Sequence, residues 1–289
     1  FAAFSLSFLL AARFMPDRAD MLPGLWRILS SPTKATTNFF SLGGYAATFL
    51  NMGLVGLVCT LLYCLPGERP NHAATLVTIL TTGFGSWGIH ILNMWPTMLG
   101  VVLHCIVKRE KLGTHTNAML FSTGLAPFIS ELMVRYPNPD VVGFTPAGVL
   151  AALVIGIFAG FFLPAGLDNS PRIHKGFALY SAALPVGMTA FLIYAILFKA
   201  PGVAVPPAVS ELHVAAPGIV NTFCILLFSG FVVAARLMGT TRKQYWRLLT
   251  DPDPVVNFSA TYGNGPMLMN VGFYGLYILM YYNIIGAEV

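Results

Sequence analysis

Charge is what this sequence most lacks. Only 9% of its 289 residues are Asp, Glu, Lys or Arg, against about a quarter in a soluble domain, and a surface facing water cannot be built from so few. Catalytic signatures are missing too: there is no HExxH zinc pair, no GxSxG elbow and no paired-carboxylate site, so an enzyme is the less favoured class. No strand precedes the glycines at 83 and 85 or the pair Gly156 and Gly160, and no Walker lysine follows, which argues against a nucleotide site. Cys59, Cys64, Cys105 and Cys224 lie in or beside apolar runs without CxxC or Cys/His spacing, so neither a disulfide framework nor a metal centre is expected. No cofactor is implied. The formal charge of +5 raises nucleic acid as a partner, but the cations sit between hydrophobic runs and form no aromatic-interleaved patch. A secretory signal is absent as well: Phe1 stands inside an apolar run with no charged region before it and no small-residue cleavage site after it, and the sequence reads as a piece of a longer chain.

What is present in quantity is apolar: 56% of positions, with a mean hydropathy of +0.73. The runs fall at about 1–13, 39–64, 72–108, 116–134, 142–164, 177–198, 217–236 and 256–285. Backbone polar groups in lipid must be satisfied within the segment, so these runs predict helices and an all-α polytopic membrane protein with about eight crossings. The third run is anomalous. Straight helix would carry its 37 residues about 55 Å, nearly twice a hydrocarbon core of about 30 Å. Gly83, Gly85 and Gly88, followed by Asn93, Trp95 and Pro96, predict a broken or re-entrant segment there.

If that run makes one net crossing, the loops after spans one, three, five and seven share a side. They hold every cation except Arg69, Arg135 and Lys199, and the positive-inside rule puts them in the cytoplasm of a bacterial inner-membrane protein.

The sequence also repeats itself. AARFMPDRADMLPGLWRILSSP from Ala11 returns as AARLMGTTRKQYWRLLTDP from Ala234, matching Trp26 to Trp246. NFFSLGGYAATFLNMGLVGL from Asn38 aligns without gaps to NFSATYGNGPMLMNVGFYGL from Asn257, pairing Asn51 with Asn270 and Gly53 with Gly272. Self-similarity of this length means two copies of one unit, residues 1–213 and the start of a second from 214 to 289. Six net crossings between the copies would make them parallel, one of the repeat geometries of secondary transporters, and by the same logic the intact chain should run to roughly 440 residues.

Four segments together resemble the bacterial membrane-protein family named for domain of unknown function 1576 (DUF1576): GGYAATFLNMGL at Gly43, GFGSWGIHILNMWPTMLGV at Gly83, TGLAPFISEL at Thr123 and HKGFALYSAALPVGM at His174. The resemblance covers essentially the whole sequence. It implies a multi-pass protein with a duplicated unit and supplies no catalytic residue.

The candidate site residues follow from the break. Gly83, Gly85, His90, Asn93, Trp95 and Pro96 could offer backbone carbonyls and half-helix ends to a solute or ion, or could form a packing kink. Asn51 and Asn270, at equivalent places, could meet a substrate or each other, or serve as interhelical glue. Glu131 is the acid inside a predicted span and a candidate for proton or cation coupling, unless Arg135, one turn on, simply pairs with it. His104 could relay protons or lie at the interface beside Lys108. His174, Lys175, Gly176 and Tyr180 could bind an anionic headgroup or anchor the sixth span. MLPGLWRIL from Met21 and KQYWRLL from Lys243 read as helices lying in the interface. The sum favours a permease for a small solute or ion in contact with membrane lipids; a membrane-embedded enzyme and a lipid-binding scaffold are the alternatives, and homo-oligomerisation stays open.

Overall fold

The computed structural model describes residues 1–33, 37–67, 70–137, 142–175, 182–202, 217–253 and 258–286. Every regular element among them is helical. Four runs are long and apolar enough to cross a membrane: Tyr45–Leu62, Leu112–Arg135, Pro146–His174 and Gly218–Leu237. Shorter apolar helices occupy Ala2–Phe14, Ala73–Ser86, Trp95–Lys108 and Ala183–Lys199. The chain divides into two compact units, Phe1–Leu212 and His213–Val289, taken here in turn.

The first unit opens with α1 (Ala2–Phe14) and the short α2 (Met21–Ser30). α2 buries Gly24 and Ile28 and leaves Trp26 exposed. The run expected as one helix over 39–64 is two, α3 (Phe39–Gly43) and α4 (Tyr45–Leu62). The cause is Gly44, whose φ of 87° lies in the left-handed region that residues with a Cβ avoid. α4 then starts under an acid: Asp17 Oδ1 accepts from Ala46 N at 3.1 Å, placing a carboxylate at the positive end of the helix.

α5 (His72–Gly83) and α6 (Trp95–Lys108) follow, separated by a 3-10 turn at Phe84–Ser86 and irregular chain to Met94. α7 (Thr116–Ser122) and α8 (Ala126–Arg135) form one run through a 3-10 turn. α9 (Pro146–His174) continues ten residues past the end expected at 164. Pro164 and Pro171 lie inside it; proline bends a helix without always ending it, given packing against neighbours. α10 (Ala183–Tyr194) closes the unit with a π turn at Ala195–Lys199.

Contacts place each connection at one of two ends of the bundle. At one end α2 packs on the start of α4, a Cβ on Gly24 falling within 2.8 Å of Ala47 Cβ, and Trp26 lies 6.2 Å from Phe144. At the other end Phe1 meets Tyr63, Gly67 lies against the Gly113 backbone, and the Tyr63 hydroxyl donates to Asn117 Oδ1 at 2.6 Å. The chain thus leaves α4, enters α5, leaves α6 and enters α7 all at this second end. The start of α5 and the end of α6 therefore lie near one another, through the contact of Gly67 with Gly113 and the bond from Tyr63 to Asn117.

Among the described residues Arg13, Arg18, Arg27, Arg135 and Lys199 sit toward the first end, and Lys108, Arg109, Lys111, Arg172 and Lys175 toward the second; Lys34 and Arg69 fall outside the described residues.

α6 and α9 run alongside each other at backbone distance. A Cβ on Gly100 would stand 2.7 Å from Gly160 Cα, and one on Gly156 2.5 Å from Pro96 Cβ. Small residues permit such approach where no water is available to drive helices together.

The second unit holds α11 (Pro217–Leu237), α12 (Arg242–Leu249), α13 (Phe258–Tyr262) and α14 (Asn264–Ile284). The run expected over 256–285 breaks at Gly263, φ 81°. α12 begins with a reciprocal cap, Gln244 N donating to Thr241 Oγ1 at 3.3 Å and Thr241 N to Gln244 Oε1 at 2.8 Å. Trp246 is exposed. The Tyr262 hydroxyl donates to Asp251, holding that carboxyl below the usual carboxylate range. Gly272 and Gly275 let α14 close on Phe228 and Val232 of α11.

Candidate functional site

The non-helical stretch between α5 and α6 leaves backbone groups to be satisfied by something other than a helix ladder. Side chains do it. Asn51 of α4 donates to Gly85 O at 2.7 Å and Ile89 O at 2.9 Å, and its Oδ1 accepts from Ile91 N at 3.2 Å. Within the turn Asn93 Oδ1 accepts from His90 N at 2.9 Å, while Asn93 Nδ2 donates to Gly88 O at 2.8 Å and to Ser130 Oγ of α8 at 2.9 Å. His90 Nδ1 accepts from the N–H groups of Leu92 and Asn93 at 3.3 and 3.2 Å. The ring proton therefore sits on Nε2, which donates to Ser130 Oγ at 2.8 Å. Asn51, His90, Asn93 and Ser130 are fully buried.

Of the residues expected from sequence, the structure gathers Gly85, His90, Asn93 and Asn51 into this knot. Sequence reasoning missed Ser130, which joins both His90 and Asn93 to α8 and whose proximity to Glu131 in the chain was the available signal. Trp95 and Pro96 start α6 with Pro96 buried against Gly156, and Trp95 faces outward. Phe84, Trp87 and Leu92 also face outward, so the rim of the turn is apolar and exposed. Gly83 has open space beside it.

Asn51 spends three of its four hydrogen-bonding positions on the turn. Asn270, in the second unit, accepts, among the described residues, a long bond from the Tyr245 hydroxyl at 3.4 Å. Glu131 is engaged by Arg135: Nη2 donates to Oε2 at 3.1 Å, and Nε lies 2.8 Å from Oε1 as an ionic contact poorly aligned for a hydrogen bond. His104 sits apart from the knot, its Nδ1 donating to Phe161 O at 2.8 Å and its ring 5.7 Å from His115. His174 and Lys175 end α9; Gly176 and Tyr180 lie outside the described residues. Among the described residues no three His, Cys, Asp or Glu side chains come together as a metal site would need.

The pair on α8 makes a measurable prediction. Glu131→Leu leaves a buried guanidinium without its carboxylate and should cost about 3–5 kcal/mol, whereas adding Arg135→Met should recover most of it. Thermal unfolding of the two variants in detergent checks this, and an undiminished loss in the double variant would show that the pair is not the cause.

A small cleft of about 10 Å³, room for about one water, lies at the bundle end where α5 enters. Tyr63, Asn71, Ala74, Gly113, Thr114 and Asn117 are among its lining residues.

A family model described as a protein of unknown function, DUF1576, matches residues 17–199. No curated protein and no solved structure matches the chain.

Proposed function

We propose, for a chain that belongs to the DUF1576 family of proteins of unknown function, that it is an inner-membrane permease for a small solute, organised around residues 72–108 as a re-entrant hairpin. The carrying observation is that Gly67 packs on Gly113 while Tyr63 bonds Asn117, so the hairpin begins and ends beside itself. The fourteen residues of α6 rise about 21 Å at 1.5 Å each, short of a core of about 30 Å, which leaves the turn inside the bilayer. Irregular backbone at that depth is tolerated where protein or a water-filled cavity satisfies it, and the Asn51, Asn93 and Ser130 contacts supply partners.

Duplication remains part of the reading. Each copy contains a first apolar helix, a short amphipathic helix with an exposed tryptophan, a five-residue helix, a glycine with φ near 85° and then a long helix. Asp17, which caps that long helix in the first copy, corresponds to Thr240, whose hydroxyl stands beside Gly265 at the same place in the second. With no net crossing in the hairpin, the crossings counted between copies fall from six to five, and the parity that favoured a parallel pair lapses.

Transport is tested by reconstituting the chain in proteoliposomes and screening fluxes of water, urea, glycerol, sodium and chloride. The reading expects at least one probe to cross faster than in empty vesicles. Flux equal to the empty control for every probe, from protein that remains folded, would favour an assembly scaffold instead.

A further inference from the structure

Threonine in a helix has an easy partner, the carbonyl four residues back. Thr48, Thr60, Thr189 and Thr222 all take it, at 2.7 to 2.9 Å. Thr78 and Thr82 of α5 do not. Both are fully buried, one turn apart, and neither hydroxyl has a hydrogen-bond partner among the described residues. A buried hydroxyl left this way is costly, and satisfied polar groups are the rule in native interiors.

Their surroundings are polar on one side. A Cβ on Gly56 of α4 would stand 3.1 Å from Thr82 Oγ1 and 2.7 Å from Ser5 Oγ, so the glycine lets two hydroxyls pack directly against α4, and Ser5 Oγ reaches Thr60 Oγ1 at 3.3 Å. Thr78 lies beside the Tyr63 hydroxyl without a well-formed bond to it. Tyr63 in turn lines the small cleft. At the inner end of the seam Gly85 sits on Met52 and is held by Asn51. The order from solvent is cleft, Tyr63, Thr78, Thr82 with Ser5, and then the polar turn.

We infer that this seam between α4 and α5 is a hydrated pathway for small uncharged hydrogen-bonding solutes, entered through the cleft; the inference rests on the permease reading. Its polar groups are hydroxyls and amides. A solute with hydrogen-bonding groups exchanges water for these partners one at a time, whereas an ion would lose its hydration with no countercharge to meet it. Among the described residues, the unit's buried ion pair, Glu131 with Arg135, lies on α8.

The test has two arms. In a chain whose four cysteines are replaced by alanine, Thr78→Cys and Thr82→Cys are each exposed, in proteoliposomes, to a small water-soluble methanethiosulfonate. Val77→Cys, on the same helix in the apolar core, is the dry control. Only a hydrated thiol ionises and reacts, so the seam positions should label at least about tenfold faster than position 77. Labelling as slow as at position 77 overturns the hydrated seam. In the second arm Thr78→Val and Thr82→Val should each lower urea or glycerol flux about three- to tenfold, the weight of one hydrogen bond, with sodium and chloride excluded throughout. Ion flux, or neutral flux untouched by both valines, overturns the solute class while leaving a permease. Labelled cysteines with no flux of any probe would keep the hydrated seam and remove the permease.

Discussion

Asn51→Leu should lower the stability of the first unit by on the order of 3–5 kcal/mol, because one side chain of similar size then leaves two carbonyls and one N–H buried without partners at about 1–3 kcal/mol each. Asn270→Leu, at the equivalent position of the repeat, should cost less than about 1 kcal/mol, since only the 3.4 Å contact from Tyr245 is lost. Two residues that the sequence pairs are thus separated by their partners. Cys59 provides the readout: it is fully buried on α4, so its labelling reports opening of the unit. A loss of that size should raise the Cys59 labelling rate by roughly 10² to 10⁴-fold, with little change in the Asn270 variant. Equal, small effects in both would mean that Asn51 does not hold the turn.

Gly160→Val should be strongly destabilising. A Cβ at this position collides with Thr97 O and would stand 3.1 Å from Gly100 Cα. The obstacle is backbone, which cannot rotate away as a side-chain tip can. Overpacking of this kind costs about 3 kcal/mol or more, and α6 must move off α9, taking the hairpin with it. Gly187→Ala in α10, where nothing lies within 4 Å, is the matched control and should be neutral or stabilising by up to about 1 kcal/mol from helix propensity. Detergent unfolding midpoints distinguish the two; a Gly160→Val protein as stable as the control would mean that the α6 and α9 backbones do not approach this closely.

The membrane character and the break near Gly83 to Pro96 were legible in the sequence because each follows from local rules: hydropathy and loss of helix bonds. Whether the broken stretch bends back or passes through was left open, since both have the same composition. The difference lies in long-range contacts such as Gly67 with Gly113 and Tyr63 with Asn117. The pairing of Glu131 with Arg135 could be read from their four-residue spacing. Asn51 was singled out correctly as a polar residue at depth, but its partners are backbone groups of a distant turn, which no side-chain pattern announces. Thr78 and Thr82 carried a readable signal, two hydroxyls one turn apart in an apolar helix, whose meaning depends on Gly56 and Ser5 arriving opposite them.

The central claim is that residues 72–108 enter and leave at one end of the bundle. It is tested most directly by labelling with a membrane-impermeant thiol reagent from one side of sealed vesicles. Cys64, exposed at the end of α4, and a cysteine placed at the exposed Lys111 bracket the segment. The hairpin predicts that both react from the same side and neither from the other; labelling of the two from opposite sides would contradict it and restore a single crossing.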